Sequence, residues 1–217
     1  MTGEEILSAA DDIAEDDIPR AHGVVLLNSA KNLREDLRPW QFLKKLDSSK
    51  VASPGDTWQT SKALPADFRR GYKMFVGTNN EYFGLPFEQW IAFKNSARRY
   101  VIDLGNDVFY LTSSVGSQQT IYFFYIKTTT DFTVDTLDDD LLVWPDRFHP
   151  LLAFTVAAMF QGGTDYDDVS IRMSESNRAA AKVLDDSMVA WDNALKLEEM
   201  NHSFAGNGEA DMNLGDM

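Results

Sequence analysis

Apolar positions along this chain change their period twice. From Met1 to Arg38 they recur every three to four residues. From Trp40 to Trp144 they form aromatic and β-branched runs broken by Gly, Pro, Asn and Asp, and from Phe148 to Met200 the helical period returns. The order predicts two helices, a β-rich stretch and two more helices. A chain that leaves a helical unit and returns to it is expected to close one bundle around an insertion. The expected fold class is therefore α+β: a helical bundle formed by the N- and C-terminal helices, an inserted antiparallel β-rich unit of sandwich- or barrel-like character, and an extended C-terminal tail. The corresponding divisions are 1–38 with 146–200 for the bundle, 39–145 for the insertion and 201–217 for the tail.

Local signals place the helices. Thr2-Gly3-Glu4-Glu5 reads as a capping box, in which the Thr2 hydroxyl accepts from the Glu5 amide while Glu5 reaches back. Ile6, Ala9, Ala10 and Ile13 follow as a narrow apolar stripe, and the acidic run Glu15-Asp16-Asp17 opposes the macrodipole and keeps this helix short. A second helix after Pro19 has Leu26, Ala30, Leu33 and Leu37 on one face and must stop near Arg38, because Pro39 disfavours α backbone before it. Phe148, Leu151, Leu152, Val156, Met159 and Phe160 repeat at helical spacing, with Ala153, Phe154, Ala157 and Ala158 between them. A helix apolar all round is expected to be central and buried, and Gly162-Gly163 to end it. The last helix runs from about Asp168 towards Met200, with Ala180, Leu184, Met188, Trp191 and Leu195 inward and Lys182, Asp185, Asp186 and Lys196 outward. The expected bundle core is Leu26, Leu33, Leu152, Val156, Phe160, Leu184 and Trp191.

In the middle section Tyr72–Val76, Tyr100–Leu104, Val108–Thr112 and Thr120–Lys127 are the clearest strands. Gly105-Asn106 suits a two-residue hairpin of the type with Gly first. Phe87–Phe93 fits either a short helix or a loop. Ile121–Ile126 is six apolar residues without alternation, so its strand needs cover on both faces, from the helices or from a neighbouring subunit.

Composition narrows the function more than any motif does. The 217 residues are 44% hydrophobic with 14 Phe, enough to build a folded core. A formal charge of −14 argues against a nucleic-acid surface, which needs clustered Lys and Arg. The absence of cysteine excludes disulfide staples and thiolate metal sites and fits a reducing compartment. An acidic start and an apolar stretch, Leu151–Phe160, of about half a membrane span predict a soluble protein made in the cytoplasm, with no signal peptide and no membrane partner.

Candidate chemistry fails at each place it is sought. His22, His149 and His202 lie on separate segments without a second ligand at helical spacing, so each is read as structural, with His149 capping a helix start. Asp165-Tyr166-Asp167-Asp168 begins like a calcium loop, but Ser170 and Ser176 stand where the loop needs Gly and Glu. Helix capping by Asp167 or Asp168 is the better reading, and Asp138-Asp139-Asp140 reads as a solvated turn. No nucleophile elbow and no Gly-rich phosphate loop occurs. No catalytic residue, metal ligand or cofactor is expected, and the chain is read as a structural protein, not an enzyme.

Short motifs in a fixed order carry a resemblance. They are Leu27-Asn28-x-Ala30-x-x-Leu33, Arg38-Pro39-Trp40-x-Phe42-Leu43, Leu64-Pro65-Ala66-Asp67-Phe68, the Tyr100-x-Ile102-Asp103 hairpin and Trp144-Pro145-x-x-Phe148-His149-x-Leu151-Leu152. From Met1 to Met200 the chain resembles the head–tail adaptor (connector, or neck) proteins of tailed bacteriophages. The resemblance implies a ring, commonly of twelve copies, docked beneath the portal and joining the tail to the capsid. Its partners would be the portal protein, a tail, nozzle or terminator protein, and further copies of itself. DNA would pass through the lumen without specific binding, and the protein would lie in the virion neck after assembly from the host cytoplasm. Phe204, Met212, Leu214 and Met217 are expected to anchor the tail to the portal, and Tyr122, Phe124 and Ile126 to meet a neighbouring subunit. The competing readings are a tail-completion or tail-terminator protein and, further away, a regulatory protein or enzyme of unfamiliar fold.

Overall fold

The structure is a computed structural model that describes residues 1–94, 96–112, 115–164 and 168–208. Its elements are α1 (Gly3–Ala14), α2 (Arg20–Leu37), β1 (Lys44–Ala52), β2 (Ser61–Ala63), β3 (Phe68–Val76), β4 (Asn80–Leu85), α3 (Trp90–Phe93), β5 (Arg99–Asp103), β6 (Val108–Leu111), β7 (Gln119–Lys127), α4 (His149–Thr164) and α5 (Asp168–Gly208). They divide into a helical unit, Met1–Phe42 with the chain from Thr129 onward, and a β unit, Leu43–Thr128.

The helical unit starts as its first residues dictate. Thr2 Oγ1 accepts from the Glu5 amide at 3.2 Å and Glu5 Oε2 accepts from the Thr2 amide at 2.9 Å, closing the capping box. Glu15 ends α1 in left-handed backbone, with φ at 54°. α2 stops at Leu37 because Arg38, held before Pro39, is extended. α4 packs against α1, α2 and α5, and Leu151, Leu152, Val156 and Ala157 on it are wholly buried. It runs one residue past Gly162-Gly163 to Thr164.

Three expectations about inward faces are corrected. α1 buries Leu7 and Ala14 beside Ile6 and Ala10, while Ala9 and Ile13 are half-buried. α2 buries Gly23, Val24, Leu27, Ala30, Lys31 and Glu35, leaving Leu33 50% and Leu37 60% exposed. The α2 stripe is rotated because Lys31 and Glu35 find partners inside the unit and Gly23 lets α1 approach: a Cβ there would lie 3.0 Å from Leu7 Cδ1. α5 buries Ser174, Asn177, Ala181, Met188 and Asp192, with Ala180, Leu184, Trp191 and Leu195 half-buried beside them. Trp191 packs between Phe42 and Phe148 at ring distances of 6.4 and 5.6 Å. Of the expected core, Leu152, Val156 and Phe160 are buried, Leu26, Leu184 and Trp191 half-buried, and Leu33 is on the surface. α5 also continues to Gly208, past Met200, where the extended tail was expected to begin.

The β unit is one seven-stranded sheet in the order β1-β7-β3-β4-β5-β6-β2. β6 and β7 are not adjacent in it, yet the Phe109 and Phe123 rings lie 5.3 Å apart, so the sheet rolls into a nearly closed barrel around them. Phe123 also meets Phe68 and Tyr100, and a Cβ on Gly71 would lie 2.8 Å from its ring. The expectation of a purely antiparallel insertion is corrected by β4 and β5, which pair in parallel at Phe83–Arg99, Gly84–Tyr100 and Leu85–Val101. A parallel pair needs a crossover, and the segment left open as helix or loop supplies it, with a 3-10 turn at Phe87–Gln89 followed by α3. The β5–β6 turn is not a two-residue hairpin. Pairing closes at Asp103–Val108 around four residues, the Asp103 carboxylate accepts from the amides of Gly105 and Asn106, and Asp107 takes the left-handed φ of 53°. β7 lies between β1 and β3, which explains its unalternating run: Ile121, Phe123 and Tyr125 fill the barrel while Tyr122 and Phe124 lie half-buried on the other face.

Candidate interaction surfaces

Charged side chains inside the helical unit act as its fasteners. Lys31, wholly buried, donates from Nζ to the Thr130 carbonyl at 2.6 Å and pairs with Asp131 Oδ1 at 2.9 Å. Glu35, one turn on, accepts from the Thr129 hydroxyl and from Trp144 Nε1 at 2.9 Å. Asn28 forms a two-way pair with the Phe132 backbone, its amide donating to the carbonyl at 2.8 Å and its oxygen accepting from the N–H at 2.9 Å. Along this face α2 holds residues 129–132 as a strap. On its other side Arg34 meets Asp185 at 3.2 Å, and Arg38 meets Asn193 and Asp192 of α5 at 2.6 and 3.0 Å. Asp192, wholly buried, also accepts from the Gln41 amide at 2.6 Å and pairs with Lys196 at 2.7 Å. Buried charge is tolerated only when paired and hydrogen-bonded in this way.

Sequence reasoning missed Lys31, Glu35 and Asp192. An i,i+4 Lys–Glu pair and an Asp four residues before a Lys have the spacing of solvated helix pairs, so no local signal marked them as buried. His149, expected to cap, instead donates from Nε2 to the Trp144 carbonyl at 2.9 Å, and its Nδ1 lies 3.0 Å from the Met1 amine. Burial pushes its pKa below the usual imidazole value, only partly opposed by the Trp144 carbonyl and by Asp146.

The outward side of the β unit has a different character. Register places Leu46, Phe124 and Lys73 opposite one another, Phe75 opposite Tyr122, and Lys44 and Arg70 opposite Ile126. Residues opposed in a ladder share a face, so apolar rings and cations are interleaved here. Lys44 Nζ lies 5.3 Å from the Tyr72 ring centroid and Lys73 Nζ 4.9 Å from that of Phe75. At the edge of the barrel Asp67 accepts from Tyr125 Oη at 2.7 Å and from Lys45 Nζ at 2.8 Å. Burial alone would raise the Asp67 carboxyl, but these bonds outweigh it and hold its pKa below the usual carboxylate value. Burial, followed by the Asp67 carboxylate, pushes the Tyr125 hydroxyl well above the ordinary phenol range.

The chain's acidity is not shared between the units. Leu43–Thr128 carries eleven Lys and Arg against seven Asp and Glu, a formal +4, while the rest carries nine against 27, a formal −18. The net value of −14 therefore describes neither part.

The expected sites fall on both sides of what is described. Tyr122 and Phe124 are half-buried on the outward face of β7, whereas Ile126 is only 2% exposed. Phe204 lies within α5, and Met212, Leu214 and Met217 lie outside the described residues, as does most of the Asp165–Asp168 acidic run. Among the described residues no group of three or more His, Asp or Glu could hold a metal ion, and no helix is long and apolar enough to cross a membrane.

The family model described as SU10 adaptor protein matches residues 1–196. Among curated proteins none matches the chain. The chain belongs to the SU10 adaptor protein family, a family of phage head–tail adaptors, and is a structural phage adaptor protein.

Proposed function

We propose that copies of this chain form a ring, of twelve members by the family resemblance, that docks beneath the portal, joins the tail to the capsid and encloses part of the DNA exit channel. The family match over residues 1–196 carries this reading. Two units of unlike charge and architecture suit a part that must meet unlike neighbours, the portal on one side and a tail component on the other. DNA crosses the lumen without specific binding, because carboxylates in excess repel phosphates and a duplex is held only where cations cluster. The outward face of β7, with Tyr122 and Phe124, contributes to subunit contacts. The C-terminal residues Phe204, Met212, Leu214 and Met217 supply apolar anchors to the portal on a segment otherwise rich in Gly, Asn and acidic residues. Assembly takes place in the host cytoplasm and ends in the virion neck.

Co-purification with candidate portal and tail proteins, read by native mass spectrometry, tests this function. A ring that binds portal is expected; a strict monomer that binds neither partner overturns it. Deleting residues 204–217 should abolish portal capture while the chain stays folded, losing only the helical circular dichroism signal of residues 204–208. Full portal binding by the folded, shortened chain would remove the docking role.

A further inference from the structure

We infer that the outward cationic–aromatic face of β1, β3 and β7 docks against the acidic helical unit of a second copy of this chain. The inference rests on the ring reading above and adds the two surfaces that meet.

A closed ring of identical subunits needs a heterologous contact, in which one patch meets a different patch on the next copy. This chain carries two such patches with opposite charge. The face is built from Lys44 and Leu46 on β1, Arg70, Tyr72, Lys73 and Phe75 on β3, and Tyr122 and Phe124 on β7. Leu46 is 46% and Tyr72 41% exposed, and Arg70 and Lys73 are exposed beside them. Glu81 on β4, 3.8 Å from Lys73 Nζ, is the carboxylate at its margin. A β unit of +4 and a helical unit of −18 in every copy give attraction between unlike units and repulsion between two helical units. Like-with-like pairing of copies through the helical units is thereby disfavoured.

Duplex DNA is the other polyanion that a cationic face could take, and the residues favour protein. Three cations spread among five apolar or aromatic side chains give few phosphate contacts, and Lys44 and Lys73 already lie over the Tyr72 and Phe75 rings. Large apolar side chains rimmed by charge are the make-up of a protein interface.

The test uses the full chain. A photoreactive p-benzoylphenylalanine replaces Tyr72, and equal amounts of isotopically light and heavy protein are mixed, irradiated and digested. Expected are cross-links from position 72 of one isotope to peptides of 1–42 or 129–208 of the other. Charge reversal by Lys44→Glu, Arg70→Glu and Lys73→Glu together should weaken self-association by about tenfold or more, with an unchanged circular dichroism spectrum. Raising the salt should weaken the wild type but not the variant, whose β unit carries a formal −2 (+4 − 6) and whose repulsion from the helical unit salt relieves. Cross-links confined to Leu43–Thr128 of the partner copy, no intermolecular cross-links, or undiminished assembly of the folded variant would each overturn the inference. So would a mobility shift of duplex DNA that the charge reversal removes while assembly persists. Portal capture is read separately: a chain that binds portal without these cross-links sinks this inference alone, and one that forms them without binding portal sinks only the adaptor-ring reading.

Discussion

Trp144 Nε1 donates to Glu35 Oε1 at 2.9 Å across 109 positions of sequence, tying α2 to the chain that enters α4. The β unit is inserted between these two limbs, so the bond helps to close the helical unit over its own interruption. The same carboxylate accepts from the Thr129 hydroxyl just after β7 ends. Replacing Glu35 by Ala strands these donors in the interior and is expected to cost about 2–5 kcal/mol. Glu35→Gln keeps one acceptor oxygen and should cost clearly less. Urea unfolding of the two variants decides it, and equal losses would mean that packing, not hydrogen bonding, is what Glu35 supplies.

Two leucines that look alike in the helical pattern should behave differently. Leu152 is wholly buried on α4 and Leu33 half exposed on α2. Leu152→Ala should lose about 2–5 kcal/mol through lost transfer energy and the cavity left behind. Leu33→Ala should stay within about 0.5 kcal/mol. Thermal unfolding of both in one buffer reads the contrast, and a large loss at Leu33 would return α2 to the face that its leucines suggest.

Gly71 sits where β3 bends over the barrel core. An added Cβ would meet Phe123 ring carbons at 2.8 and 2.9 Å and Ile102 Cδ1 at 3.2 Å. Gly71→Ala is therefore expected to force the Phe123 ring aside and cost about 1–3 kcal/mol, despite the higher strand propensity of Ala. Pairing the change with Phe123→Leu should recover part of the loss, and a double-mutant cycle that adds without coupling would locate the effect elsewhere.

Acid should weaken the helical unit before the ordinary carboxylate range is reached. Burial lowers the His149 pKa, so the folded state keeps the ring neutral while the unfolded chain takes up a proton near pH 6.5. Protons then bind the unfolded state more, and the contribution present above that pH is lost as pH falls towards the lowered folded value. Unfolding midpoints measured from pH 7.5 to 5 should fall, and His149→Gln should flatten the curve. Asp67 acts in a lower window: its depressed pKa gives stability that is present above about pH 4 and lost below it.

The sequence by itself determined what depends on near neighbours. The Thr2 capping box, the stop of α2 before Pro39, the burial of α4 and the positions of β3, β5, β6 and β7 follow from interactions within a few residues, or from an apolar run that has nowhere else to go. The family, too, was legible in the order of elements and short motifs, because helix–strand order is written in local periodicity. Only the tertiary structure decided which face of α2 turns inward. Lys31 and Glu35 can be buried because Thr130 and Trp144, 99 and 109 positions away, supply their partners, and that help pulls Leu33 and Leu37 to the surface. The parallel pairing of β4 with β5 and the meeting of Phe109 with Phe123 were likewise beyond periodicity, since strand partners are chosen by the closure of the whole sheet. The cationic–aromatic face was hidden for the same reason: its charges lie on separate strands, and only the register of β1, β7 and β3 sets Lys44, Arg70 and Lys73 beside Tyr122 and Phe124.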